Sequence, residues 1–185
     1  MKRRFVLAGL VAALAMPGAA MAQSRDMPSA DHILRKLETQ PRMRMSPERR
    51  VTINEFKRRP DLRRAAPSID IQSINFATGS ATIPASQYPK VEEIGIALRR
   101  ILNRNPRARF LIEGHTDAVG SYESNLALSE RRAASLRRVL SREFRVPSRA
   151  METVGYGEEY LLVNTQRENW QNRRVTIRRI DQFLR

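Results

Sequence analysis

Two residues of opposite charge stand in one short stretch of this 185-residue chain: Asp117 in GHTD (114–117) and Arg132 in LSERRA (128–133). Gly120 and Asn125 lie between them. A carboxylate accepts hydrogen bonds from cations, and a guanidinium forks onto carboxylates. The pair can therefore hold a charged ligand or each other. As a mutual surface ion pair they would contribute only about 0–1 kcal/mol.

The residues alone favour the ion pair, since charged helix faces are common, but position also allows a ligand. The stretch 109–115 reads as a strand, which puts Asp117 just past its C-terminal end, where open α/β sheets bind ligands. Arg132 falls about three turns into the helix that follows. It returns to the loop only if the first turns are irregular, and the sequence leaves that open.

Other chemistry is poorly supported. His115 beside Thr116 and Asp117 invites thoughts of a metal or a proton shuttle. Beyond His115 the chain has only His32, and it has no cysteine, so a zinc site would need several carboxylates. A satisfied histidine at a strand end is expected instead, with no metal and no cofactor. No GxSxG and no nucleophile–base–orienter set is visible, so no catalytic residue is assigned and the chain is not expected to be an enzyme.

The elements that must position these residues follow from periodicity. Ile69, Ile71, Ile74 and Phe76 fit a strand, and 77–80 a turn. Ser86 can cap a helix to about 103, with Val91, Ile94, Leu98, Ile101 and Leu102 on its buried face. After the strand at 109–115 comes a long helix, 121–144, with Ala133, Leu136, Leu140 and Phe144 on one side. Strands at 151–154 and 174–180 flank a turn at Gly155-Tyr156-Gly157, and Val175 and Ile177 share a face. The order β-α-β-α-β-β makes an α+β fold, a two-layer sandwich with helices packed on one mixed sheet.

The rest of the chain bears on location. Lys2, Arg3 and Arg4, an apolar run over 5–15 and Ala20-Met21-Ala22 have the layout of a signal peptide, 1–22, cut before Gln23. That run is shorter than the roughly 20 residues that span a bilayer. The mature chain is expected to have no transmembrane segment. Without cysteine there is no disulfide and no lipid-bearing N-terminal cysteine. Residues 23–67 hold five prolines, 12 basic and 6 acidic residues, and are expected to form a poorly packed basic tether, with room for two short helices, one on the Ile33–Leu37 stripe and one over 47–56.

The formal charge is +15. Without Lys2, Arg3 and Arg4, 34 − 3 = 31 basic residues face 19 acidic ones, leaving +12. Nucleic acid is the usual suspect for such an excess, but an exported protein points to anionic envelope surfaces instead.

Several short pieces together resemble the OmpA-like family of peptidoglycan-binding domains. They are Phe76 with Gly79-Ser80-Ala81, GHTD, Gly120, Asn125, LSERRA, Gly155-Tyr156-Gly157-Glu158, and NRRV (172–175). The resemblance covers about 110 residues within an expected domain at 68–185. It implies the same β-α-β-α-β-β fold and a non-catalytic grip on the diaminopimelate of a peptidoglycan stem peptide. The family's aspartate falls on Asp117, which would meet the ligand ammonium. Its arginine falls on Arg132, which would fork onto the carboxylate. Phe76, Ser80, Thr116 and Asn125 would form the supporting wall.

The resemblance also implies a periplasmic protein associated with the cell wall and the outer membrane, anchoring or organising the envelope. The alternative is an assembly scaffold whose N-terminal segment recruits a partner, such as an outer-membrane protein. Three departures stand out: Arg145 where a glycine often follows the long helix, Ser124 where an aromatic is common, and a changed loop after Gly157.

Overall fold

In the computed structural model, residues 26–76 and 79–185 are described. The expected leader at 1–22 lies outside them, as do residues 77 and 78 of the expected turn.

Three short helices come first: α1 (Ala30–Leu37), α2 (Ile53–Lys57) and α3 (Pro60–Ala65). Then follow β1 (Ser68–Ile71), α4 (Tyr88–Arg104), β2 (Phe110–Gly114), α5 (Tyr122–Arg142), β3 (Met151–Gly155) and β4 (Val175–Arg179). From β1 onward this is the expected β-α-β-α-β-β order, an α+β arrangement on one mixed sheet. Strands run β1-β4-β2-β3, with β2 and β3 parallel and β4 antiparallel to both of its neighbours.

The β2 strand explains the layering. All five of its residues are buried. Because side chains alternate across a strand, Phe110 and Ile112 enter one core with Leu98, Ile101, Leu136 and Leu140 of α4 and α5. Leu111 enters a second, smaller core with Phe56, Leu62 and Phe183. Both faces of the sheet are therefore covered, and the second cover comes from the N-terminal segment and the chain end.

This changes the expectation of a poorly packed tether. Ile33 and Leu37 of α1 are fully buried in the main core. Phe56 of α2 is 0% exposed and Leu62 of α3 is 1% exposed. Full burial of each such side chain is worth about 1.5–3 kcal/mol. The helices stop and start on local chemistry. Ser29 caps α1 through the His32 N–H, Thr52 and Glu55 form a capping box on α2, and Pro60 opens α3.

Two boundaries also shift. Ser86 sits in a 3-10 turn (Ala85–Gln87) before α4 and does not cap it. The expected second N-terminal helix breaks into a 3-10 turn (Pro47–Arg49) and α2.

Two glycines set how α5 lies on the sheet. A Cβ on Gly114 would come 2.1 Å from the Ser129 carbonyl oxygen, and one on Gly155 would come 2.3 Å from the Glu130 nitrogen. The helix thus crosses the C-terminal ends of β2 and β3 at backbone contact. Nothing larger than glycine fits at either strand end.

Candidate functional site

The crossing of α5 over these strand ends places Arg132. The helix is regular from Tyr122, capped by Ser121 through the Ser124 N–H, so no irregular turn is needed. Its first turns lie out along the loop, and Ser129 and Glu130 pass over Gly114 and Gly155. Arg132 follows directly and is half-buried beside the sheet. Its Nε donates to the Ser80 carbonyl at 3.0 Å. Its guanidinium lies over the Phe76 ring, 4.9 Å from the centroid. It pairs with no carboxylate among the described residues. Burial, and then the like charge of Arg173, push this guanidinium below its ordinary range, while Asp117 pulls the other way.

Asp117 is held by the loop behind it. Backbone N–H groups of His115 and Thr116 donate to the Arg174 and Gly157 carbonyls. The Asn125 amide nitrogen reaches the Asp117 carbonyl at 3.3 Å, the Val119 carbonyl at 3.2 Å and Glu158 Oε2 at 2.6 Å. Asn125 therefore ties the GHTD loop to the turn after β3. The Asp117 carboxylate does not meet Arg132. Its Oδ2 accepts from Arg173 Nη1 at 2.7 Å, and its Oδ1 has only a 3.4 Å contact with the Val119 N–H.

A pocket of about 180 Å³ opens here, walled by Phe76, His115, Arg132, Trp170, Arg173 and Arg174 among others. Of the six expected site residues, Phe76 and Arg132 face it. Ser80 and Asn125 hold neighbours in place through the bonds described. Thr116 is 3% exposed and its hydroxyl has no hydrogen-bond partner among the described residues. Asp117 stands behind Arg173 and does not line the pocket.

His115 departs from expectation. It is 2% exposed, stacks on Tyr156 and lines the pocket. Yet neither ring nitrogen is hydrogen-bonded among the described residues; Nε2 is 3.6 Å from Glu113 Oε2, too far for a hydrogen bond. Burial lowers its pKa, opposed by Glu113, which favours the neutral ring. The nearby Glu113 carboxylate is instead engaged by Arg63 and Arg178.

Those two arginines were not foreseen. Arg63 of α3 forks onto Glu113 with two 2.9 Å bonds, and Arg178 of β4 adds one at 2.7 Å. The Arg63 guanidinium lies 3.8 Å from the Tyr156 ring centroid and 4.0 Å from that of Tyr160. Burial alone would raise the Glu113 pKa, but the arginines overcome it and hold the carboxyl far below its usual range. The signal was present in FLIEG (110–114): one carboxylate inside an apolar strand demands a buried partner.

Comparison with known proteins agrees with this frame. A model of the OmpA family matches residues 75–175. Outer membrane porin F of Pseudomonas aeruginosa is 43% identical over 85 residues, 46% of this chain and 23% of the porin. The peptidoglycan-associated lipoprotein of Legionella pneumophila is 38% identical over 84 residues, 45% of each chain. The chain thus matches less than half the length of these curated relatives. The crystal structure of the periplasmic domain of Helicobacter pylori MotB covers 60% of this chain and 74% of that one, with a TM-score of 0.50 and 19% identity. That likeness is one of fold.

Proposed function

Because this chain belongs to the OmpA family, we propose that it binds peptidoglycan without cutting it, anchoring or organising the cell envelope. The family is non-enzymatic, so the function rests on recognition. The ligand is the diaminopimelate of the stem peptide, whose side chain ends in an ammonium and a carboxylate on one carbon. Arg132 takes the carboxylate and Asp117 the ammonium.

The observation that carries this reading is Arg132 itself. Its guanidinium faces a polar pocket half-buried, with a carbonyl and an aromatic face for company and no carboxylate. A buried cation without a counter-ion is costly, and a ligand carboxylate relieves that cost. With Arg132 Nε committed to Ser80, the terminal nitrogens remain for the ligand. Asp117 keeps Oδ1 for an ammonium while Oδ2 holds Arg173.

The export signal at 1–22, cleavage before Gln23 and a periplasmic location by the cell wall and outer membrane belong to the same proposal. In it, residues 68–185 form the binding domain. The segment before them adds basic surface, including the exposed Arg35, Arg58 and Arg64, suited to anionic envelope surfaces or an outer-membrane partner.

Pull-down on purified sacculi followed by titration tests the reading. Charge-assisted hydrogen bonds contribute about 1.5–3 kcal/mol, so Asp117→Asn and Arg132→Lys should each weaken binding about tenfold or more. A stem with lysine lacks the second carboxylate and should bind poorly. Equal affinity for both stems, or sacculus binding by both variants as tight as wild type, would overturn it.

A further inference from the structure

The charge pattern of the pocket exceeds what one arginine requires. Three guanidinium groups line it, those of Arg132, Arg173 and Arg174, and no carboxylate does so among the described residues. Arg174 is committed: it faces Asp70 at 3.4 Å and donates to the Tyr160 carbonyl at 2.9 Å. Arg132 and Arg173 are not so settled. They are near enough for the charge of Arg173 to disfavour that of Arg132.

Arg173 is fastened from behind. Its Nη1 meets Asp117 Oδ2 at 2.7 Å and Glu168 Oε1 at 2.6 Å. The Asp117 side chain is 10% exposed and makes a firm anchor, whereas Glu168 is 74% exposed and its pull is weakened by water. The remaining guanidinium nitrogens of Arg173 have no hydrogen-bond partner among the described residues, and the residue lines the pocket. His115 in the same wall is a buried ring with two unpartnered nitrogens. Buried polar groups in native proteins are nearly always hydrogen-bonded, so this wall is built to meet a polar ligand.

We propose that Arg173 is a second ligand-binding cation of this site, sharing the ligand carboxylate with Arg132 while Asp117 holds it in place. The proposal rests on the reading above, in which the pocket takes the zwitterionic end of a stem peptide. A carboxylate has two oxygens and about four acceptor positions, enough for two guanidinium groups. Placed between Arg132 and Arg173, it replaces a repulsion across the pocket with two attractions. The ligand ammonium then lies toward Asp117 Oδ1, and positive and negative groups alternate across the site.

Specificity follows. If two guanidinium groups read one carboxylate, an amide in its place keeps one carbonyl acceptor but loses the negative charge and the second oxygen, and sets an N–H₂ group against one of the cations. Arg173 therefore makes the site discriminate a free side-chain carboxylate from an amidated one. Asp117 and its ammonium contact are common to both ligands, so the ratio of the two affinities isolates the carboxylate side of the site.

The experiment is calorimetric titration of the full chain with two stem tripeptides. One ends in diaminopimelate, and the other is the same peptide with the side-chain carboxyl amidated. Wild type, Arg173→Gln and Arg173→Lys are compared, with thermal melts as the control for folding. Arg173→Gln should weaken the free-carboxylate peptide about tenfold or more and cut the carboxylate-to-amide ratio by a similar factor. Arg173→Lys should restore part of both. Wild-type affinity in Arg173→Gln with the ratio intact overturns the proposal. Tighter binding also overturns it, because Arg173 would then be competing with the ligand for Asp117. A wild-type chain that binds neither peptide overturns the pocket reading and this proposal together, whereas binding with an unaltered ratio in Arg173→Gln overturns this proposal alone.

Discussion

Glu113 is fully buried between Arg63 and Arg178, and they hold its pKa far below the ordinary carboxylate range. A carboxyl whose folded pKa lies below its unfolded value of about 4.3 stabilises the fold above that value. The contribution is lost as pH falls through the depressed folded value. Stability should therefore decline on the acid side below about pH 4, with Glu113 as one cause. Glu113→Gln leaves two arginines short of their counter-ion and should cost about 3–5 kcal/mol at neutral pH. It should also flatten the acid slope. Urea unfolding across a pH series checks both, and an unchanged slope would clear Glu113 of the role. At this scale the sequence was partly legible. GHTD and LSERRA singled out Asp117 and Arg132 as candidates, whereas Glu113 was not among the expected residues although an acid within FLIEG carries the signal of a buried charge. The partners were not legible, because Arg63 lies 50 positions from Glu113 and Arg173 lies 56 positions from Asp117. Such pairings depend on how the chain closes on itself, which no local pattern encodes.

Among the helices, legibility tracked length. The stripes Val91–Ile94–Leu98–Ile101 and Ala133–Leu136–Leu140 located α4 and α5, whose 17 and 21 residues carry several repeats of the period. Helix α1, with 8 residues, shows only the single Ile33–Leu37 step of the period, and α2 and α3, with 5 and 6, are too short to show one. They are held by tertiary packing and by caps, as expected for helices of that length. The end of α5 was legible as a departure. Arg145 has φ 55°, the one positive value outside glycine among the described residues. The Val146 N–H closes on the Leu140 carbonyl at 3.1 Å, the long bond of a left-handed helix stop. An L-residue with a side chain is strained in that conformation by about 1–2 kcal/mol, partly offset in glycine by greater chain entropy. Arg145→Gly should therefore stabilise the protein by roughly 0.5–1 kcal/mol, seen as a higher melting temperature. A lower one would mean that the Arg145 side chain contributes more than its backbone costs.

The whole molecule differs most from expectation in what its N-terminal segment does. Deleting residues 23–67 would uncover Leu111, Ile180 and Phe183 and remove Arg63 from Glu113. The remaining 68–185 should lose cooperative unfolding or most of its stability, since a broken buried ion pair alone costs about 3–5 kcal/mol. Deleting only 23–28, which leaves the Ser29 cap in place but removes Met27 from the edge of the main core, should lower the melt far less. Circular dichroism melts of both truncations decide this, and a stable, cooperatively folded 68–185 would show that the segment only rests on the domain. The same arrangement has a mechanical side. Val51 exchanges backbone hydrogen bonds with Phe183 and Arg185, so the segment also clasps the end of the chain. A pull applied ahead of α1 must first shear α1 from α4, and then the Arg63–Glu113 fork loads β2 beside its C-terminal end. The strand that carries the load is the one just past which Asp117 stands. Tension on the N-terminal side therefore runs straight to the ligand site instead of peeling the edge strand β1.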